Sequence, residues 1–563
     1  MRVKAALAWL VGVPLVLGAA APDASHPPPV RFVDVTEALG IDFRHEASPT
    51  SQKYLPETMS GGVALVDFDD DGRLDLFFVN GARIDDPMPK GALPVKDGPR
   101  FSNRLYHQTA DGRFEDVTAR AGLTGAGYGQ GVAVGDYDND GDEDLYVTAL
   151  FGNRLYRNDG NGRFTDVTAE AGVAGSGWST SAAFVDFDHD GRLDLFVARY
   201  LDWSFEANPY CGEPRPGPRA YCHPDQWKGA SALLFHNDGD GRFTEVSARA
   251  GVANPEGKSL GVAIADFDGD GRVDLFVAND SVRQFLYRNR GDGTFQDQAL
   301  LAGAAYDQDG RAFAGMGVDF ADYDNDGHPD VVVTNLSNER YALYRNAGDG
   351  TFSYETHASG LGKLTLLDSG WGVRFLDYDN DGTLDLFVAQ GHVMDTIEQT
   401  SPHLRYRQPP LLARNEGGRF TDAGSSAGDA FRDAWAARGL AVGDLDNDGD
   451  LDVVVTTVGG RPYVLRNDGG NRGHWLTLRL VGHRSNRDGI GADVRLVTAS
   501  GAVRQATVTT TGSYLSAGDR RVHFGLGSET RVRALEIRWP SGTVQRLQDV
   551  GIDRPLVVEE PAP

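Results

Sequence analysis

The chain has 563 residues and a formal net charge of −27, with 81 acidic against 54 basic side chains. That balance excludes nucleic acid and anionic membrane surfaces as default partners, because like charges repel. The length is enough for two or three domains and a large core.

The N-terminus reads as a secretory signal over residues 1–21. Arg2 and Lys4 precede an apolar run at 5–17, which is too short for a typical membrane span, and small residues at 18–21 offer a cleavage site. A linker at 22–29 follows, and no cysteine is placed there for a lipid anchor. No later stretch is long and apolar enough to span a bilayer, so stable membrane insertion after cleavage is not expected. The predicted location is secreted, periplasmic or extracellular. The two cysteines, Cys211 and Cys222, share one Pro/Gly-rich segment, and in an exported protein they are expected to form a local disulfide.

Residues 30–470 repeat three short elements in fixed order, seven times each. The first resembles F-x-D-V-T, as at 32–36, 114–118 and 164–168. The second is G-V-A, an aspartate cluster and an apolar run. The third resembles L-Y-R-N and starts at Leu105, Leu155, Leu234, Leu286, Leu343, Leu412 and Val464. All are rich in Val, Phe, Tyr and Thr and separated by Gly/Asn/Asp turns, so they read as strands, four to a unit. Seven four-stranded units predict an all-β, seven-bladed propeller. The array opens on an F-x-D-V-T strand and stops after an L-Y-R-N strand, so the N-terminal strand is expected to complete the last blade.

The aspartate clusters all obey D-x-D-x-D-G-x-x-D. They are Asp67, Asp69, Asp71 and Asp75; Asp136, Asp138, Asp140 and Asp144; Asp186, Asp188, Asp190 and Asp194; Asp266, Asp268, Asp270 and Asp274; Asp322, Asp324, Asp326 and Asp330; Asp377, Asp379, Asp381 and Asp385; and Asp444, Asp446, Asp448 and Asp452. Ca²⁺ takes six to eight hard oxygens, and positions 1, 3, 5 and 9 supply carboxylates while a carbonyl at position 7 can add another. Glycine at position 6 permits the sharp turn round the ion. Four carboxylates in nine residues repel one another without a cation, and these 28 account for nearly all of the net charge. Position 12, the bidentate Glu of an EF-hand, is here Phe78, Val147, Val197, Val277, Val333, Val388 or Val455, so a strand follows and not a helix. About seven structural Ca²⁺ ions are expected, with the fifth loop the least regular because it contains His328-Pro329.

These repeats resemble the FG-GAP/VCBS units of integrin α-subunit propellers. Further on, N-R-D-G-I-G-A at 486–492, G-S-Y-L-S at 512–516, V-H-F-G-L-G at 522–527 and R-W-P-S-G at 538–542 resemble the ASPIC/UnbV domain. The combination is similar to the cartilage acidic protein family and its bacterial members. The resemblance implies secretion, calcium binding and contact with protein or glycan; the EGF-like module of animal relatives has no counterpart here. Alternating apolar residues over 474–558 predict a second, small β-sandwich, in which the glycine motifs read as tight turns.

Three long connections, 81–102, 199–232 and 391–411, are expected on the face opposite the calcium loops. They hold binding-type residues: Trp203, Tyr221, His223 and Trp227 in one, His392, Arg405, Tyr406 and Arg407 in another. Trp371 falls just before an inner strand near the central opening. These residues form a candidate ligand face, or they pack on one another to cover the propeller mouth. No H-E-x-x-H or phosphate-cradling loop occurs, and no catalytic residue is assigned. The reading is a protein- or glycan-binding adhesion module; the alternative is a calcium-assisted polysaccharide lyase or hydrolase using the long loops.

Overall fold

The computed structural model describes residues 30–213 and 219–562; the predicted signal segment and linker lie outside them. Among the described residues, seven sheets share one plan of antiparallel strands in simple order. The first consists of Val63–Val66, Asp75–Phe78, Arg104–Gln108 and Phe114–Asp116. The second consists of Tyr128–Gly135, Asp144–Leu150, Arg154–Asn158 and Phe164–Asp166. Innermost strands of successive sheets pack side by side, and the innermost strand of the last sheet, Ala437–Gly443, lies beside Val63–Val66 of the first. Apolar clusters fill the spaces between sheets, as expected where both faces of each sheet are covered.

The fold is the all-β, propeller-type array expected from the repeats, and the N-terminal strand takes the predicted place. Arg31–Asp34 pairs antiparallel with Tyr463–Asp468, Phe32 opposite Asn467. One expectation needs correction. F-x-D-V-T is not a strand throughout. The strand ends at the aspartate, whose Oδ1 accepts bonds from the amide and hydroxyl of the threonine two residues on, as at Asp116 and Thr118 (amide 2.9 Å). A single helical turn, Thr118–Ala121, follows and ends at Gly122 with φ +82°. The aspartate and threonine are there to turn the chain.

The glycine that opens the G-V-A element, replaced by Ser181 in the third sheet, marks the crowded axis. A Cβ on Gly317 would lie 1.9 Å from the Trp371 carbonyl oxygen, and one on Gly62 would lie 2.1 Å from that of Leu515. Only a residue without a side chain lets the inner strands approach this closely.

The C-terminal region forms two sheets over a shared core. One holds Val522–Gly527, His474–Val481 and Pro555–Glu559, and the other Val503–Thr507, Asp493–Thr498, Val532–Arg538 and Val544–Val550. Between Val503–Thr507 and Val522–Gly527 the chain leaves this domain and enters the axis of the array. There the Val132 amide bonds the Leu515 carbonyl at 3.0 Å, the Ala517 amide bonds Val63 at 2.9 Å, and Ser513 and Val318 exchange two backbone bonds. Thr510 reaches Val134, Thr511 reaches Val262, and the Tyr514 hydroxyl donates to the Met59 carbonyl at 2.8 Å. Residues 509–519 thus plug the centre.

Candidate functional site

Each aspartate loop joins the first two strands of its sheet and is wound by its own backbone. The amides at positions 5 and 6 donate to the two oxygens of the position-1 aspartate in all seven loops, at 2.7–3.1 Å. Glycine at position 6 has positive φ throughout, as expected. Position 4 also has positive φ in every loop, occupied by Asp70, Asn139, His189, Gly269, Asn325, Asn380 and Asn447. Asn, Asp and Gly are the residues that tolerate that region best, a preference the motif alone did not disclose.

The position-9 aspartate is buried and serves the scaffold as well as the loop. Its Oδ1 accepts the amide of the last residue of the third element at 2.7–2.8 Å in all seven sheets. In six loops Oδ2 also accepts the position-2 amide. In the sixth loop, Asp385 Oδ2 and Asp379 Oδ1 are buried without a hydrogen-bond partner. A buried carboxylate oxygen left unpaired costs free energy unless a cation satisfies it, and the surrounding all-oxygen set suits a hard divalent ion.

Electrostatics point the same way. Burial, then neighbouring carboxylates, pushes Asp186 up to about 8. Burial raises Asp75 to about 8, Asp136 to about 7 and Asp330 to about 9, each with adjacent aspartates adding to the shift. Fixed cations offset some of the charge. Arg288 pairs with Asp268 and Asp270, Arg345 with Asp324 and Asp326, and Arg414 lies 3.3 Å from Asp379 and Asp381. In the first and third loops the equivalent residue is histidine: His107 Nδ1 lies 3.2 Å from Asp75, and His236 Nδ1 lies 3.1 Å from Asp194.

The third element contains a residue whose role was not apparent from sequence. The side-chain amide of its final Asn reaches the position-2 carbonyl of the preceding loop: Asn158 to Phe68, Asn237 to Tyr137, Asn289 to Phe187, Asn346 to Phe267, Asn415 to Tyr323 and Asn467 to Tyr378, all at 2.7–2.8 Å. In the first sheet Gln108 replaces Asn and reaches Leu445 of the last loop at 2.8 Å. A second set of links runs the other way, from position-4 Asn to the next loop's glycine carbonyl: Asn139 to Gly191, Asn325 to Gly382, Asn380 to Gly449 and Asn447 to Gly72. The loops therefore form one hydrogen-bonded belt.

The C-terminal domain sits on this belt. Arg479 Nη2 lies 2.6 Å from Asp70, the Arg487 amide donates to Asn139 Oδ1 at 2.8 Å, His523 Nε2 lies 2.7 Å from Asn380 Oδ1, and Arg521 Nη1 donates to Asn447 Oδ1 at 2.6 Å. The Asp136 amide donates to Asp488 Oδ2 at 2.7 Å, and Trp475 lies over Gly449. Sequence reasoning placed this domain after the array and did not place it on the aspartate loops.

On the opposite face, the candidate ligand residues divide. Trp371, Trp203 and His392 are 1%, 3% and 6% exposed, and Tyr221 and Trp227 are also buried. The ligand-face expectation needs correction for these five: they are buried, as the covering alternative expects, and do not offer a free ligand surface. Trp371 meets Tyr514 edge-on at 4.9 Å and carries the buried Arg438 guanidinium on its face at 3.9 Å. Trp203 packs with Tyr54, Phe151, Trp178 and Phe205. Lys53 ties the segment before the first sheet to Asp395 at 2.6 Å, and Tyr221 bonds Glu57 at 3.0 Å. His223, Arg405 and Arg407 are exposed and Tyr406 is half-buried. The disulfide Cys211–Cys222 is formed, as expected.

A family model described as FG-GAP-like repeat matches residues 67–147, 152–197, 228–277, 266–333 and 322–388, about half of the chain, and one described as ASPIC and UnbV matches 482–563. Cartilage acidic protein 1 of Homo sapiens is 28% identical over 301 residues, which are 53% of this chain and 43% of the human protein. The Mus musculus protein is 27% identical over 53% of this chain and 44% of its own length. The matched region thus spans under half of these curated relatives. Among solved structures, an Agrocybe aegerita lectin that recognises non-reducing terminal N-acetylglucosamine has a TM-score of 0.38 at 17% identity, over 65% of this chain and 79% of the lectin. BBS1N in complex with ARL6DN has a TM-score of 0.37 at 11% identity, over 72% of this chain and 93% of its own.

Proposed function

Since the chain belongs to the FG-GAP-repeat proteins that end in an ASPIC/UnbV domain, the family of cartilage acidic protein 1, we propose that it is a secreted calcium-binding propeller that acts as a protein- or glycan-binding module, with the ions structural. The observation that carries the calcium reading is the repeated loop with its crowded, buried carboxylates, including the orphaned oxygens of Asp379 and Asp385. Positions 1, 3, 5 and 9 of each loop would hold the ion, which would neutralise the carboxylates. Secretion is supported by the N-terminal pattern and by the Cys211–Cys222 disulfide, which persists best in an oxidising compartment. Among the described residues no helix is long and apolar enough to cross a membrane.

The C-terminal domain covers the aspartate-loop face, which leaves the long-loop face for a partner. His223, Arg405 and Arg407, with the rim of Tyr406, are its accessible members of the candidate set. Arginine beside an aromatic edge suits acidic sugars and peptide carboxylates. A glycan and peptide array probed with the calcium-loaded protein tests this reading. Retained binding by an Arg405→Ala/Arg407→Ala variant that melts like the parent would remove this face from consideration.

A further inference from the structure

The hydrogen bonds between the C-terminal domain and the loop belt concentrate on position-4 side chains and loop backbone, beside one ion pair, Arg520 to Glu143 at 3.3 Å, at position 8 of the second loop. The domain takes the position-4 side chains of four loops: Asp70, Asn139, Asn380 and Asn447. It also takes loop backbone: the Asp136 amide, the Asn380 carbonyl (from the Gly527 amide at 2.7 Å) and the Asp444 carbonyl (from Arg521 Nη2 at 2.8 Å). Each of these four side-chain contacts lands on a residue between the position-3 and position-5 aspartates and not on a ligand carboxylate. Position 4 also carries the belt's loop-to-loop bonds, so its place depends on how tightly its loop is wound.

We propose, on the reading that the loops bind calcium, that metal loading and docking of the C-terminal domain are one coupled equilibrium. The wound loop presents its position-4 tip to the domain, and the docked domain holds the plug at 509–519 in the axis. Without the ion, carboxylate repulsion opens the loops, and the tips move off their partners. Attraction between bare aspartates and the domain's arginines would act in the opposite sense. Arg521 and Arg479 lie close enough to Asp444 and Asp67 to contribute to that attraction, but the remaining contacts carry no charge: the Arg487 amide meets Asn139, His523 meets Asn380, the Gly527 amide meets the Asn380 carbonyl and Trp475 lies over Gly449. The coupling is reciprocal: anything that loosens the domain must weaken calcium binding by the same factor.

Hydrogen exchange on the full chain, with calorimetry of calcium binding in parallel, tests this. Stepwise chelation should release the amides of 509–519 at least tenfold faster while those of the inner strands, such as Ala437–Gly443, stay protected. In His523→Ala/Trp475→Ala, which leaves every loop residue and every charge intact and removes the contacts to Asn380 and Gly449, the calcium concentration giving half-protection of 509–519 should rise several-fold. If calorimetry shows calcium leaving and the plug stays protected, or is lost only together with the inner strands, the coupling is overturned. An unchanged half-protection concentration in the double variant also overturns it. If calorimetry finds no calcium bound to the parent, the calcium reading fails, and this proposal with it.

Discussion

At the residue scale, the most informative side chain is the asparagine that closes each third element. Asn289 donates to Phe187 at 2.7 Å and to Val273 at 3.3 Å, and accepts from the Gly291 amide at 2.9 Å. Asn289→Ala removes all three bonds and leaves buried backbone groups unpaired, so unfolding should become easier by roughly 2–4 kcal/mol. Denaturant melts at fixed calcium measure it, and a loss below about 0.5 kcal/mol would show the link to be incidental. L-Y-R-N was legible as a repeat because it recurs, but the target of its last residue is the neighbouring loop, which periodicity within one unit does not register. The aspartates were legible for a related reason. Their spacing of two directs carboxylates to one point within nine residues, so the chemistry is local. The scaffold duty of position 9 was hidden, because its amide donors come from elsewhere in the chain.

At the element scale, glycines separate into two kinds. Gly317 sits where a Cβ meets the next inner strand's backbone at 1.9 Å, whereas Gly241 lies in a hairpin turn at φ +78° with open space around it. Gly317→Ala must push a strand aside and should cost at least about 3 kcal/mol. Gly241→Ala should cost only about 1–2 kcal/mol, from left-handed backbone strain. Equal melting temperatures for the two variants would contradict the crowded-axis account. The long loops show where element-level reading stops. Tryptophan and histidine in a long connection are compatible with a ligand surface and with a covering layer. The choice is made by partners such as Tyr54, Glu57 and Lys53, which come from a segment before the first sheet that holds only the short turn Leu55–Thr58 and none of the repeated motifs.

At the scale of the whole molecule, the raised carboxyl groups set the response to pH. Asp67 and Asp322 stand at about 6, Asp136 and Asp444 at about 7, Asp75 and Asp186 at about 8, all with burial as the leading cause. The ordinary value of an aspartate is 3.8, so the folded, cation-free protein binds more protons than the unfolded chain across this interval. The associated stability is fully present below about pH 4 and is lost progressively as pH rises to about 6 to 8. With chelator, the melting temperature should therefore fall from pH 5 to pH 8. Saturating calcium should flatten that slope and raise the curve, since ligand binding to the native state adds stability. A chelated protein that gains stability over the same interval would refute the account.

The pairing of Arg31–Asp34 with Tyr463–Asp468 also has a consequence in time. The strand Arg31–Asp34 waits for a partner made more than four hundred residues later, and the other three strands of its sheet all come from 437–468, so it stays unpaired through most of synthesis. Closing so long a loop is slow, and an unpaired edge invites other chains meanwhile. The plug is made later still and can enter the axis only once the inner strands surround it. Closure thus waits for 463–468 and for the plug, and a chain interrupted before Asn467 would carry an open edge ready to aggregate.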